Sequence, residues 1–402
     1  MTENFVIIGV DGGATKVSSW VIQREQNGQF ALTEIHSERI YREYPEYNPE
    51  FIPIDLHRQL KEKEADRISL TRAEKQQGKA YLNACADTII EATQKAHAQK
   101  VLIGIGMPGL KTADQKGIAV MANGPRILDY ARQIEMQIKI AGVELIRPIT
   151  HIGSDAYYCG VGEEYAANGN FGDVPNAYYL GGGTGAADAL KLNNELISLD
   201  DIQDWFVKIW EMKGPENESM EKYVSSNGIQ SLYGQLAGIA VTKLNQAGIY
   251  PMQICERAVR GENAAILTLQ KVARYLALLI YERITTLFAG WQGYFKFSNP
   301  ARVTPLSEHK YQGCLLDKII FGQRLSEIFE KTKYYPILTQ PFYQSLSLLL
   351  NESAVLDEAA RRHYCRKGNF KDELMVCSNL REAPALGAGI DAYLQYKEQK
   401  LC

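Results

Sequence analysis

Phe5-Val-Ile-Ile-Gly-Val-Asp-Gly-Gly-Ala-Thr-Lys16 decides the fold. The apolar run Val6–Val10 stops at Asp11 and a glycine pair, and Ser19–Gln23 is again rich in β-formers. Residues 11–16 are therefore expected to form the bend of a hairpin. Such a bend leaves N–H groups uncovered, because glycine brings no side chain and the amide dipoles can point at an anion. A second stretch, Ala177-Tyr-Tyr-Leu-Gly-Gly-Gly-Thr-Gly-Ala186, repeats the design. One such turn is a common hairpin, with Lys16 an incidental lysine. Two of them, each carrying a threonine, suggest a phosphate chain clamped from both sides. Gly12, Gly13, Thr15 and Lys16 would serve from the first turn, and Gly182, Gly183, Thr184 and Gly185 from the second. Neither turn fits G-x-x-x-x-G-K-[ST], and no G-x-G-x-x-G follows a strand, which disfavours Walker-type and dinucleotide sites.

Asp11 opens the first turn, where a carboxylate would repel phosphate unless a divalent cation lay between them. The reading is a direct or water-mediated hold on Mg²⁺. Between the turns runs Thr150-His-Ile-Gly-Ser-Asp-Ala-Tyr157. Asp155 follows a strand, opens a small-residue helix and is placed to accept the proton of a hydroxyl attacking a γ-phosphoryl group. Capping of that helix is the alternative role. His151 reads as structural.

Strand–helix–strand order along the chain points to α/β sheets with ligands at the carboxyl ends of strands. Helices are expected over Lys79–Ala98, Leu128–Ala141, Ala264–Ala289 and Ala385–Glu398. Strands are expected at Val101–Ile105, Gly117–Met121, Pro148–Ile152 and Ile319–Gly322. Two stretches interrupt this order. Residues 41–78 begin aromatic and proline-broken and end in a charged run over 55–77 that reads as a solvated helix, a surface insertion rather than a lid. Residues 290–312 read as a second, irregular insertion. The domain division expected is 1–149 with the terminal helix 385–402, and 150–384. The strand-turn-strand opening at residue 5 and again at 177 hints at a duplicated half.

A chain of 402 residues exceeds one ordinary core, so two domains are the default. A formal net charge of -3 gives no electrostatic reason to expect nucleic acid or anionic lipid as a partner. The amino terminus lacks the pattern of a secretory signal, and no stretch reads as long enough to span a bilayer. Seven cysteines, scattered and never in C-x-x-C spacing, argue against a disulfide framework and for the reducing cytoplasm.

Taken together, these residues resemble the ROK family of sugar kinases, within the actin, Hsp70 and hexokinase superfamily. Asp11-Gly-Gly-Ala-Thr-Lys16 is similar to the family's D-x-G-G-T-K loop, and Gly181–Gly185 to its G-T-G-x-G loop. Gly106-Met-Pro-Gly109 with Met121-Ala-Asn-Gly-Pro125 resembles the pair S-x-P-G and A-P-N-x-P. Ser154-Asp155-Ala156 stands where the family has Asn-Asp-Ala, and Ser219-Met-Glu-Lys-Tyr-Val-Ser-Ser226 is similar to C-L-E-x-Y-x-S-G. The resemblance implies a two-lobed actin-like, ribonuclease H-like α/β fold with a cleft between the lobes. It also implies ATP and Mg²⁺ as cofactors, Asp155 as base, and Gly109, Asn123, Ser154 and Glu221 at the sugar. Glu211 is a looser candidate for a second sugar glutamate. Gly322 and Ala385 would lie on the adenine side, and a homodimer is implied by analogy.

The chain departs from the family at Ser154, which replaces an asparagine, and at Ser219, which replaces a zinc cysteine. The E-x-G-H and C-x-C-G-x-x-G-C elements are missing, so no structural zinc is expected. The N-acetylglucosamine kinases and benzoyl-coenzyme-A reductase activators also begin Asp-Gly-Gly-x-Thr-Lys, but the activators need cluster cysteines and Cys159 has no partner nearby in sequence. A non-catalytic sensor of the same fold is the competing function. A DNA-binding repressor is disfavoured, since the first strand begins at residue 5.

Overall fold

In β1 (Val6–Gly12) Ile8 and Val10 face one core while Gly9 faces the other way, the period of two that a strand imposes. A computed structural model describes residues 4–401. It divides the chain into two units, one formed by residues up to Gly169 with those from Glu382 onward, the other by Asn170–Arg381.

In the first unit β1 pairs antiparallel with β2 (Lys16–Arg24), which pairs antiparallel with β3 (Phe30–Ile40). Two helices follow β3, α1 (Leu56–Glu64) and α2 (Arg72–Lys95). On its other side β1 runs parallel to β4 (Lys100–Gly106). A short hairpin of β5 (Leu110–Lys111) and β6 (Ile118–Val120) leads to helix α3 (Tyr130–Ile140). Then β7 (Glu144–Leu145) and β8 (Ile152–Gly153) each pair parallel with β4, and α4 (Asp155–Tyr165) closes the stretch.

Thr71 starts α2 with a capping box to Glu74, and Tyr81, Leu82, Cys85, Ala86 and Ile89 pack its apolar face on Ile8, Val10, Ile103 and Ile105. The terminal helix Ala383–Leu401 covers the opposite face of the sheet. Its backbone comes so close that a Cβ on Gly9 would lie 1.8 Å from the Ala385 carbonyl oxygen, and one on Gly104 the same distance from that of Ala388. Two glycines paired in register on the same face of β1 and β4 are what admit a helix at that distance.

The second unit repeats the order. Strands β9 (Ala177–Gly182), β10 (Ala186–Leu192) and β11 (Glu195–Ile197) form an antiparallel meander. β9 then pairs parallel with the strand Lys318–Gly322, which pairs parallel with Met375–Cys377. Both sheets thus read third, second, first, fourth, fifth in chain order, with three antiparallel strands followed by two parallel ones. The duplicated half hinted at by the two turns is present as duplicated topology.

The long helix Asn263–Ala289 runs through the second core, with Val272, Leu276, Leu279, Ile280, Ile284 and Leu287 all buried. It is long and apolar enough to cross a membrane, which corrects the sequence expectation that no stretch is. Here it is a core helix, and it carries a buried polar centre. The Arg283 guanidinium bonds Asp188 Oδ2 at 3.1 Å, Glu282 Oε2 at 3.0 Å and the Val207 carbonyl at 2.8 Å.

Three boundaries differ from the sequence reading. Division falls after Gly169 and before Glu382, because α4 packs on the terminal helix and a Cβ on Gly387 would lie 1.9 Å from the Tyr158 carbonyl oxygen. The charged run 55–77 is not one solvated helix: it breaks after Glu64, Asp66 has φ 49, and Gln59, Glu74 and Gln77 are buried. The expected strand Pro148–Ile152 shrinks to Ile152–Gly153, since proline has no N–H for the ladder and the Ile149 N–H goes to Glu135 Oε1 at 2.7 Å.

Candidate active site

Parallel pairing sets the first unit's site. Asp11 of β1 lies level with Gly106 of β4, and Gly106 with Gly153 of β8. Three strands therefore end together, and the turn from Gly12, the Met107–Gly109 corner and Ser154–Asp155 all leave one sheet edge. Ligands of open α/β sheets gather at that edge.

The first turn is held from behind. Gly13 N–H donates to the Lys16 carbonyl at 2.8 Å, the Tyr81 hydroxyl donates to the Ala14 carbonyl at 2.8 Å, and Tyr41 N–H donates to the Thr15 carbonyl at 3.1 Å. Tyr41 and Tyr81 are themselves stacked, with ring centroids 3.7 Å apart. The carbonyls are thus drawn inward, while the N–H groups of Ala14 and Thr15 have no partner among the described residues and Thr15 is exposed. Carbonyls tied back with amides left open is the polarity an anion requires. A Cβ on Gly12 would lie 1.8 Å from Met107 Sδ, so a side chain there requires the buried Met107 to move. Lys16 is exposed and pairs with Glu38 of β3 at 2.5 Å, so its charge is already partnered away from the turn.

Asp155 is the first residue of α4. One of its oxygens, Oδ1, accepts the Ala156 N–H at 3.0 Å, and no other side-chain contact is made among the described residues. Its helix-terminal and base roles are therefore compatible: one oxygen tethers the carboxylate and the other is open. Ser154 occupies the N-cap position without a capping bond, which leaves its hydroxyl unengaged. Asp155 and Glu382 both repel the half-buried carboxyl of Asp11. Burial first, then those two charges, push Asp11 from the ordinary 3.8 to about 7, with Lys16 opposing.

No group of three or more His, Cys, Asp or Glu side chains able to hold a metal occurs among the described residues. An all-protein magnesium cage does not fit. One carboxylate at the turn, Asp11, does fit a magnesium ion that arrives with phosphate and keeps most of its waters.

Gly109 has φ +90, and a Cβ there would lie 2.2 Å from the Val120 carbonyl oxygen, so glycine is needed to start the β5–β6 hairpin. Asn123 is exposed on the loop after that hairpin, and the neighbouring Gly124 abuts the Tyr81 hydroxyl that holds the first turn. Ala385 is wholly buried with its carbonyl against Gly9, so it is a packing residue and offers no surface to adenine. His151 is structural, as read: Nε2 lies 3.1 Å from both Asp391 Oδ2 and the Tyr158 hydroxyl.

In the second unit the carbonyls of the glycine turn are also tied back. The partners come from the junction of two helices further along the chain, α5 (Glu221–Val224) and α6 (Ser226–Ala237). Ser226 N–H donates to the Gly183 carbonyl at 2.8 Å, and its hydroxyl to that of Gly182 at 3.3 Å. Thr184 and Gly185 are left exposed. Glu221 Oε1 accepts the Ala186 N–H at 3.2 Å, so this carboxylate lies against the turn. Gly322 pairs with Gly181 and is covered by the Tyr179 ring, where a Cβ would lie 2.1 Å from the tyrosine oxygen. Glu211 is engaged, with Oε1 on Arg302 Nε at 2.9 Å and Oε2 on the Lys208 N–H at 3.1 Å. A sugar would have to displace both. Ser219 uses its hydroxyl to accept the Glu221 N–H at 3.3 Å.

Sequence reasoning missed Tyr41, Tyr81 and Glu382. Tyr81 carried a signal, a hydroxyl-bearing ring on an otherwise apolar helix face; Glu382 carried none beyond its place before the small-residue run Ala383–Ala388.

Comparison with solved structures finds the same two-domain α/β fold. The chain is similar to a ROK-family glucokinase from Streptomyces griseus solved with glucose and AMPPNP, at 15% identity and TM-score 0.59, over 97% of this chain and 99% of that one. A ROK hexokinase from Thermus thermophilus matches at 14% identity and TM-score 0.54, over 98% and 100%. A ROK-family transcriptional regulator, a homolog of the E. coli MLC protein, matches at 15% and 0.53, over 98% and 79%. At such identities the likeness establishes the fold. No protein-family model and no curated protein sequence matches the chain.

Proposed function

We propose that this protein is an ATP-dependent sugar kinase of the ROK type. The observation that carries the reading is the sheet edge of the first unit, where an anion-ready turn and the open carboxylate oxygen of Asp155 emerge from strands that end level. Asp155 takes the proton of a sugar hydroxyl as its oxygen attacks the γ-phosphorus of ATP. The bond from that phosphorus to the bridging oxygen breaks and ADP leaves. The turn that follows Gly12 and Gly13 offers the N–H groups of Ala14 and Thr15 and the Thr15 hydroxyl to phosphate oxygens, while the Gly13 N–H stays on the Lys16 carbonyl and holds the bend. The turn at Gly182, Gly183, Thr184 and Gly185 does the same in the second unit.

Asp11 would hold the magnesium that accompanies ATP, and the ion would supply charge neutralisation at the phosphates. The raised proton affinity of Asp11, set by burial first and then by the charges of Asp155 and Glu382, supports this assignment, since a neighbouring cation would relieve both. Ser154 and Asn123 contact sugar hydroxyls. Glu221 is a weaker candidate, because its carboxylate already binds the amide of Ala186.

Incubation of the purified protein with Mg·ATP and a panel of D-glucose, D-mannose, D-fructose and N-acetyl-D-mannosamine tests the reading. Sugar-dependent ADP release is expected. Binding of a sugar and ATP without turnover would instead favour a sensor, a reading supported by Ser154 in place of the family's asparagine and by the regulator that shares the fold.

A further inference from the structure

Residues 54–74 grip the two ends of the loop that carries Asn123. Gln59 belongs to the heavily charged helix α1, yet it is 1% exposed. Its amide makes a two-way bond with one backbone unit 62 residues away: Nε2 donates to the Met121 carbonyl at 3.1 Å, and Oε1 accepts the Met121 N–H at 2.8 Å. A further bond from Nε2 to the Ile54 carbonyl at 2.7 Å fixes the amide itself.

Five residues on, Arg126 is also 1% exposed. Its Nε donates to Glu74 Oε1 and its Nη1 to Glu62 Oε2, each at 2.6 Å, while Nη2 reaches the Ser69 carbonyl at 3.2 Å. Only Ala122 and Asn123 between these anchors are exposed. A surface insertion has no need to bury a glutamine amide and a guanidinium, both of which are costly unless fully bonded. Here the bonds that compensate the burial fix both ends of a loop whose exposed residues are Ala122 and Asn123.

We infer that the segment 54–74 is a specificity strap, in which Gln59 and the Arg126–Glu62–Glu74 cluster are positioning residues that set Asn123 against the acceptor sugar. This deepens the proposed kinase reading and rests on it. The strap's bonds run to Met121 and Arg126 and not to the phosphate turn, which Tyr81 and Tyr41 hold, so its effect falls first on acceptor recognition.

Steady-state kinetics of Gln59→Ala with the hexose the wild type accepts best give the test, with thermal melting as a check on folding. The acceptor KM should rise at least tenfold and preference over the second-best hexose should fall, since small misplacements of a positioning group cost this much or more. The KM for ATP should change less than about twofold. Should Gln59→Ala fail to fold, Glu62→Gln at the more exposed end of the strap carries the test, with an acceptor KM raised threefold or more. An unchanged acceptor KM in a folded variant, or equal rises for sugar and ATP, overturns the inference while leaving the kinase intact. If the wild type turns over no hexose, the kinase reading itself has failed.

Discussion

Asp11→Asn should stabilise the ligand-free protein, and should do so increasingly as the pH rises. A carboxyl whose folded-state pKa is raised contributes its stability below its unfolded pKa and loses it as pH climbs through the folded value. For Asp11 that window runs from 3.8 to about 7. At 1.36 kcal/mol per pH unit the ionised group costs the folded state at most about 4 kcal/mol above that window. Water at the half-buried group and relaxation of the turn reduce this, so about 1–3 kcal/mol is expected. For a unit of this size each kcal/mol moves the melting temperature by about 2–4 °C.

Differential scanning fluorimetry of wild type and variant at pH 5 and pH 8.5 reads the effect directly. The variant should melt modestly higher at pH 5, where about a third of the window has been crossed, and clearly higher at pH 8.5. Mg·ATP should then raise the wild type more than the variant, because the cation neutralises the cluster of Asp11, Asp155 and Glu382. A variant that melts no higher than wild type at pH 8.5, or that differs equally at both pH values, refutes the reasoning.

Gly9→Ala should destabilise the first unit by about 3 kcal/mol, since its Cβ meets the Ala385 carbonyl in a helix that cannot easily withdraw. Urea unfolding followed by circular dichroism measures it, and an unchanged midpoint would contradict the packing described. Arg283→Met should cost the second unit about 3–5 kcal/mol by leaving Asp188 and Glu282 buried without their cation. The loss should be greater at pH 8 than at pH 5, where protonation relieves the carboxyls, and a pH-independent loss would point to packing alone.

Turns and strands nearest the chemistry were legible in the sequence because their signals are local. An apolar run ending in Gly-Gly-x-Thr gives β1 and its turn, and the same pattern gives β9 and its turn. Asp155 was legible too, as a carboxylate directly after a strand. The strap was not. Its charged residues fit a solvated helix at i,i+4 spacing, and nothing local tells that Gln59 is to bond Met121 or that Glu62 and Glu74 share Arg126. Contacts that span about 60 residues leave no periodic trace. The partner of Lys16 was not legible either: its place in the motif suggested phosphate, and only strand pairing shows that it sits beside Glu38. Ala385 likewise matched a motif position and proved to be core, because Gly9 lets the terminal helix approach so closely.

Asp155→Asn is the substitution that addresses the central claim most directly, with turnover and nucleotide affinity measured on the same folded preparation. The amide keeps the size of the side chain but cannot take a proton from an attacking hydroxyl. Sugar-dependent ADP release should fall by about 10²–10⁴-fold while the Kd for Mg·ATP stays within a few-fold of wild type. A folded variant that phosphorylates sugar at the wild-type rate would contradict the account.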